Sequence, residues 1–186
     1  TPADAQRTIV GANVAILFMN LDPQLLIRRA EAIDDRDPET AARLYENALQ
    51  QDENHPHVWA NLGSCYYRLK DREQAEFCWA KSIELDTLMP EPYYNMGCLF
   101  LFLGQYEAAA RFLRHSIELD SDNSDAYYNL GIAAEKLGNI NESLAARRIF
   151  LTRIWTNGDQ DLCKSTLKTV HRLERLVLQQ MHPYRA

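Results

Sequence analysis

The chain has no long apolar run, no surplus of positive charge, no closely spaced cysteines and no recognisable catalytic signature, and each shortage removes a class of protein. Its longest apolar stretch, Ile9 to Leu21, is broken by Gly11, Asn13 and Asn20. A transmembrane helix needs about 20 apolar residues, so this stretch is too short to span a bilayer. Lys and Arg number 20 against 26 Asp and Glu, a net charge of −6, which argues against a general nucleic-acid binder. The four cysteines, Cys65, Cys78, Cys98 and Cys163, are far apart and form no CxxC. A chain of 186 residues can build its own core without disulfides, so free, packed thiols are expected. With 46% hydrophobic and 25% charged residues, disorder is excluded as the main state. The chain begins at Thr1 rather than Met, which predicts a processed form or a cut-out fragment.

The five histidines, His55, His57, His115, His171 and His182, make neither HExxH nor a zinc-type spacing with cysteine. His55 and His57 flank Pro56 at a helix start and point in different directions. No GxxxxGK[ST], GxGxxG or GxSxG is present. The acid pair Asp34-Asp35 falls near a helix end, where capping or solvation explains it better than acid–base work. The expectation is a protein that is not an enzyme, with no catalytic residues, no metal and no cofactor.

What the chain has is repetition. Ser82-Ile83-Glu84-Leu85-Asp86 recurs unchanged as Ser116-Ile117-Glu118-Leu119-Asp120, a shift of 34. Tyr94-Asn95-Met96-Gly97 returns after the same interval as Tyr128-Asn129-Leu130-Gly131, and one interval earlier stands Ala60-Asn61-Leu62-Gly63. No stretch alternates polar and apolar residues for long enough to make a strand. Asp22-Pro23, Asp37-Pro38 and Asn54 before Pro56 mark helix starts, and Gly104 and Gly138 mark helix stops. Gly63, Gly97 and Gly131 sit inside helical patterns, where glycine costs about 1 kcal/mol against alanine. Close approach of a neighbouring helix is the expected reason, with Ala75 and Ala109 as the small partners and Trp59, Tyr66 and Trp79 filling the space between helices.

The period and its residues resemble the tetratricopeptide repeat family. Trp59, Leu62, Gly63, Tyr66, Ala75 and Trp79 match its pattern, with Thr87 in place of the late proline. Tyr93, Met96, Gly97, Phe100 and Ala109 match again, with Leu113 and Ser121 as departures. In the third repeat Tyr127, Leu130 and Gly131 fit, while Ala134, Ser143 and Arg147 do not; upstream, Ala41, Tyr45 and Ala48 match a second half-repeat. The resemblance implies an all-α, right-handed solenoid of antiparallel helix pairs over residues 22–155, with a divergent repeat at 22–55 and full repeats at 56–89, 90–123 and 124–157. Residues 158–186 are expected to be a capping helix and tail, with Leu162, Thr166, Val170, Leu173 and Val177 on one face. Residues 1–21 are expected to form an apolar helix, with Val10, Val14, Leu17 and Leu21 on one stripe and Ile9, Ala12, Ile16 and Met19 on another. A helix apolar on two sides must bury both: one face is expected to pack on residues 23–50, and for the other a homodimer is favoured over the chain's own groove or an upstream part of the protein.

From Arg147 onward eight Lys and Arg face three acids, a net of +5 against −11 for the first 146 residues. A solvated outer face explains this better than an acidic docking partner, and the sparse aromatics there, Phe150, Trp155 and Tyr184, keep nucleic acid out of the reading.

In the family the first helix of each pair lines a concave groove. By that resemblance Asn61, Asn95 and Asn129 form a column two residues after the repeating aromatic. A side-chain amide both donates and accepts, so such a column suits the main chain of an extended peptide; tying adjacent repeats together is the competing use. Ser64, Tyr67, Arg68, Tyr94, Cys98, Phe102, Tyr128 and Ile132 complete the expected peptide-binding wall, and Tyr94 and Tyr128 turn about 100° away from the core aromatics before them. The carboxylate clamp by which some family members hold acidic chaperone tails is not expected. In one register its basic and amide positions fall on Ala60, Ser64, Asp125 and Asn129, and in the other on Leu26, Ala30, Glu91 and Asn95.

The leading expectation is a cytoplasmic adaptor or scaffold whose partner is another protein, engaged through a short extended segment. Two alternatives stand beside it: a dedicated chaperone of a secreted or membrane-inserting client, and a structural subunit that binds through its convex face.

Overall fold

Short capped helices follow one another from Asp22 onward, and the first cause is local. The computed structural model describes residues 22–155 and 159–181. The expected apolar helix at 1–21, and the dimer built on it, lie outside the described residues. Helix α1 is Pro23–Glu31 and α2 is Pro38–Gln51, each with proline in its first turn. The Asp22 carboxylate accepts from the Gln24 N–H at 3.1 Å, and Asp37 accepts from the Thr40 N–H at 3.1 Å. Each cap satisfies one of the donors that a helix start leaves open. Bonds from Thr40 hold the Asp37 carboxyl below its ordinary value. Helix α3, Pro56–Arg68, also starts on proline, but its cap residue is His55 rather than Asn54 and makes no side-chain bond. Helix α4 is Arg72–Leu85, capped by Asp71 onto the Gln74 N–H at 3.2 Å.

The chain divides into two units after Thr87, close to the repeat boundary expected at 89. The second unit holds α5 (Pro90–Phe102), α6 (Tyr106–Leu119), α7 (Ser124–Lys136), α8 (Ile140–Ile154) and α9 (Gln160–Met181). All nine described elements are α-helices, and no strand is found among the described residues.

Within a repeat the two helices run antiparallel. Ser82 Oγ donates to the Pro56 carbonyl at 2.8 Å and Trp79 Nε1 to the Ala60 carbonyl at 3.2 Å, so late residues of α4 meet early residues of α3. The glycines show how close the helices come. A Cβ at Gly63 would lie 2.7 Å from Trp79 Cδ1 and 3.1 Å from the Ala75 carbonyl oxygen; one at Gly97 would lie 2.6 Å from Leu113 Cγ. The crowding therefore comes from the large residues at 79 and 113. Ala75, expected as a small partner, meets Gly63 through its backbone, and both Ala75 and Ala109 are fully buried.

In the first unit Leu26, Ala30, Ala41, Leu44, Tyr45, Ala48, Val58, Leu62 and Cys65 form one buried core. In the second, Ala109, Leu113, Leu130, Ala133 and Ala146 form another, with Phe100, Ile117 and Tyr127 packed against it. Cys163, Val170 and Leu167 of α9 close onto Leu151, Leu144 and Ile154 of α8. The expected apolar face of α9 is the observed one: Thr166, Val170 and Leu173 are buried, and Leu162 and Val177 half-buried. All four cysteines are free thiols, and burial pushes Cys65 up to about 11 and Cys78 up to about 12.

Candidate functional site

The candidate residues lie on α3 in the first unit and on α5 and α7 in the second. On α3, Asn61 is half-buried, and its amide makes no side-chain hydrogen bond with another described residue. Ser64 Oγ donates back to the Ala60 carbonyl at 3.1 Å, one turn earlier. The Tyr67 ring lies 5.8 Å from Trp79. Arg68 is committed: its guanidinium donates to the Asp34 carbonyl at 3.0 Å and to the Asp35 carboxylate at 2.7 Å. Asp34 in turn accepts from the Tyr45 hydroxyl at 3.2 Å. The acid pair thus anchors the end of α3 to the turn after α1, which neither capping nor solvation anticipated.

In the second unit the structure gathers three of the expected residues. Asn129 Nδ2 donates to Cys98 Sγ at 3.2 Å and to the Tyr94 hydroxyl at 3.4 Å, linking α7 to α5. Burial raises the Tyr94 hydroxyl, and the nearby Cys98 and Asp125 add to it. Burial likewise raises the Cys98 thiol. Asn129 therefore has the tying role that competed with peptide binding, while Asn95 is half-buried with no side-chain hydrogen bond to another described residue. Phe102 is exposed at the end of α5. Tyr128 and Ile132 are not with this trio; they line a cavity of about 270 Å³ shared with α8 and α9.

That cavity is the feature sequence reasoning missed. Arg147, at the position where the earlier repeats have Trp79 and Leu113, has a side chain only 7% exposed. It donates to Glu135 at 3.0 Å, and Arg172 of α9 bonds the other oxygen of the same carboxylate. An arginine in a core position was the available signal, since a buried charge requires a partner. The remaining C-terminal basic residues are mostly engaged as well. Arg148 pairs with Glu174 at 2.6 Å, Lys164 with Asp161 at 3.3 Å, and Arg153 with Asp122 at 3.6 Å while lying 5.0 Å from the Tyr127 ring centre. Arg147 alone among the described members of this cluster is buried; the others are exposed, so the expected solvated face is observed with surface ion pairs on it.

Two further cavities, one in each unit, lie off the Asn-bearing faces. One of about 490 Å³ is walled by Trp59, Tyr66, Phe77 and Glu46. The other, of about 410 Å³, is walled by Tyr93, Phe112, His115 and Arg114. Two residues along a helix turn the side chain through about 200°, so Trp59 and Asn61 face opposite ways, as do Tyr93 and Asn95. Among the described residues no group of His, Cys, Asp or Glu is placed to hold a metal, and no helix is long and apolar enough to cross a membrane.

The family model described as "Tetratricopeptide repeat" matches residues 32–81, and that described as "TPR repeat" matches residues 99–138. Among solved structures, MamA aligns with a TM-score of 0.66 at 20% identity, over 88% of this chain and 96% of that one. YrrB, a TPR protein with an unusual peptide-binding site, aligns with a TM-score of 0.65 at 20% identity, over 71% of this chain and 69% of that one. The first TPR of Spaghetti (RPAP3), bound to the HSP90 peptide SRMEEVD, aligns with a TM-score of 0.59 at 21% identity, over 62% of this chain and 93% of that one. A search of curated proteins gives no match.

Proposed function

This chain belongs to the tetratricopeptide repeat family, and from that premise we propose that it is a non-enzymatic adaptor that holds a short extended segment of a partner protein on the Asn-bearing faces of its first helices. One observation carries the reading. Asn61 and Asn95 place half-buried amides on those faces with no side-chain bond to another described residue, whereas Asn129, at the equivalent position, is already bonded. An amide offers two donors and an acceptor, which is what a peptide main chain needs. Peptide binding by YrrB and by the first TPR of Spaghetti supports the same use of the fold. The acidic peptide held by the latter is a poor guide to this ligand, because Ala60, Ser64, Asp125 and Asn129 stand where basic and amide side chains would be needed.

A second reading has its own observation. The 490 Å³ and 410 Å³ cavities, walled by aromatics on the opposite side of the first helices, suit a partner that packs there. A peptide-display selection on the intact protein separates the two. Enriched peptides should bind Asn61→Ala or Asn95→Ala about 2- to 12-fold more weakly, the value of one net hydrogen bond, with the helical circular dichroism unchanged. Undiminished binding to both variants, with loss on Phe77→Ala, overturns the first reading in favour of the second.

A further inference from the structure

The 490 Å³ cavity of the first unit has a lining that the repeat itself does not call for. Phe77 of α4 is 50% exposed, and its register position holds Arg111 in the next repeat and Ala145 in the one after. No packing rule of the repeat therefore asks for an aromatic there. The two charged residues of the lining are both acids, Glu46 on α2 and Glu53 just after it. Ala80 and Arg114 stand in the register of Glu46, and Thr87 and Ser121 in that of Glu53, none of them acidic. An aromatic and acidic lining is thus particular to this cavity.

Its aromatic walls are held in place. Trp59 Nε1 donates to the Glu53 main-chain carbonyl at 2.9 Å, which fixes the indole beside the residue that carries one acid. The Phe77 ring lies 6.0 Å from that of Trp59 between centroids and at 81° to it, so the two rings meet as a corner. The Tyr66 hydroxyl donates to Glu46 Oε1 and ties a third aromatic to the other acid. No Lys, Arg or His lines the cavity, and neither glutamate has an ion pair among the described residues. Lys81, which feels the charge of Glu53, is committed to Glu84 at 2.7 Å.

Aromatic faces attract cations through their quadrupole, tryptophan most strongly, and nearby carboxylates add charge and acceptors. A planar guanidinium uses both at once, stacking its face on a ring while its N–H groups reach carboxylate oxygens. A fully methylated ammonium would use the rings and leave the acceptors unmet. The chain makes the first kind of contact itself in the second unit, where Arg111, in the register of Phe77, stands 5.4 Å over the Phe112 ring. We infer that the corner of Trp59, Tyr66 and Phe77 receives an arginine side chain of a partner protein, with Glu46 and Glu53 accepting from its guanidinium. The inference rests on the second reading above, in which a partner packs against these cavities, and it supplies the chemistry of that partner. The volume lies within the range of established ligand pockets.

The probe is a set of displayed peptides selected on the intact protein and then counter-selected against Phe77→Ala. Among those that need Phe77 an arginine should recur. Replacing it by citrulline, neutral but of the same shape, should weaken binding about 3- to 30-fold. Glu53→Gln should weaken the arginine peptide about 2- to 5-fold and leave the citrulline peptide unchanged. Glu53 and Phe77 are both exposed, so both variants should keep the wild-type helical circular dichroism. Glu73→Gln, an exposed acid of α4 outside the lining, should bind as the wild type does. If no selected peptide depends on Phe77, the second reading fails and the arginine with it. Phe77-dependent peptides that tolerate both citrulline and Glu53→Gln leave that reading standing and overturn the arginine. An equal loss on Glu73→Gln, or tighter binding with trimethyl-lysine in place of arginine, overturns it as well.

Discussion

Trp79 and Arg147 occupy the same position in repeats two 34-residue periods apart, and they fill it by different physics. Trp79 is 2% exposed, lies against Gly63, and uses its one polar atom on the Ala60 carbonyl at 3.2 Å. Arg147 lies against Gly131 and sends its charge to Glu135, with Ser143 in place of the alanine and donating to the Gly131 carbonyl at 2.7 Å. The aromatic has moved along the helix: Phe150 is buried where Ser82 and Ser116 stand in the earlier repeats, and its ring centre is 4.9 Å from that of Tyr128. The lesson is that the backbone pairing tolerates either filling, provided the glycine remains and every buried charge is answered. What changes is what the repeat can offer. An apolar filling gives a plain packing unit; a charged one gives a place where the next helix is bonded.

The largest expected effect comes from breaking the apolar version. Trp79→Ala should cost about 3–5 kcal/mol, the usual loss for truncating a buried large aromatic, read as a shift in the denaturant midpoint. The charged version should break through its acid. Glu135→Gln leaves the Arg147 guanidinium inside without a full counter-charge and should cost about 2–3 kcal/mol, somewhat below the usual penalty for splitting a buried pair because Glu135 is 27% exposed. Arg147→Leu, which restores the residue type of the middle repeat, should instead stay within about 1 kcal/mol of wild type, since a hydrophobic replacement of a buried ion is often neutral. Should Glu135→Gln prove harmless, the ion pair is not what holds the last repeat.

A subtler comparison uses the glycines. At Gly63 an added methyl group meets the rigid indole edge at 2.7 Å and backbone at 3.1 Å, so Gly63→Ala should cost about 1–2 kcal/mol after its gain in helix propensity is counted. At Gly131 the nearest atom is Arg147 Cγ at 2.9 Å, on a stem that can turn, and the next backbone atom is 3.6 Å away. Gly131→Ala should therefore change stability by about zero. Equal losses at both sites would show that the arginine stem is as fixed as the tryptophan.

The helix pairs, their boundaries and the face of α9 were legible because they obey short-range rules: a 34-residue period, proline after aspartate, and apolar residues every three or four positions. The contacts that decide the candidate site follow no such rule. Glu135 meets Arg172 across 37 residues, and Arg68 meets Asp35 across 33; in neither case does the local pattern name the partner. Asn61, Asn95 and Asn129 look identical in sequence, and only the presence of Tyr94 and Cys98 opposite Asn129 sets it apart. The column of three was readable as a pattern, but which member was already spoken for was not. The missing aromatic at 147 is visible in the sequence, and a charge in its place requires an acid on a neighbouring helix, which Glu135 supplies.

The smallest effect concerns the turn that ends the first helix of each repeat. Lys70, Gly104 and Gly138 hold the same place with φ of 70°, 73° and 77°. The bonding is repeated too: the Asp71, Gln105 and Asn139 N–H groups reach back to the Tyr66, Phe100 and Ala134 carbonyls at 3.0, 2.9 and 2.8 Å. This closure needs a left-handed residue, which glycine adopts without steric penalty and lysine does not. Lys70→Gly should thus stabilise the first unit, by about 0.5–1 kcal/mol once the greater freedom of glycine in the unfolded chain is set against the relieved strain. The reciprocal change, Gly138→Lys, has open space around its Cβ, with nothing within 4 Å, so any loss is conformational rather than steric. It should cost about the same amount, and paired denaturant titrations of the two variants would read the opposite signs. A loss on Lys70→Gly would mean that the lysine side chain contributes more than its backbone strain costs.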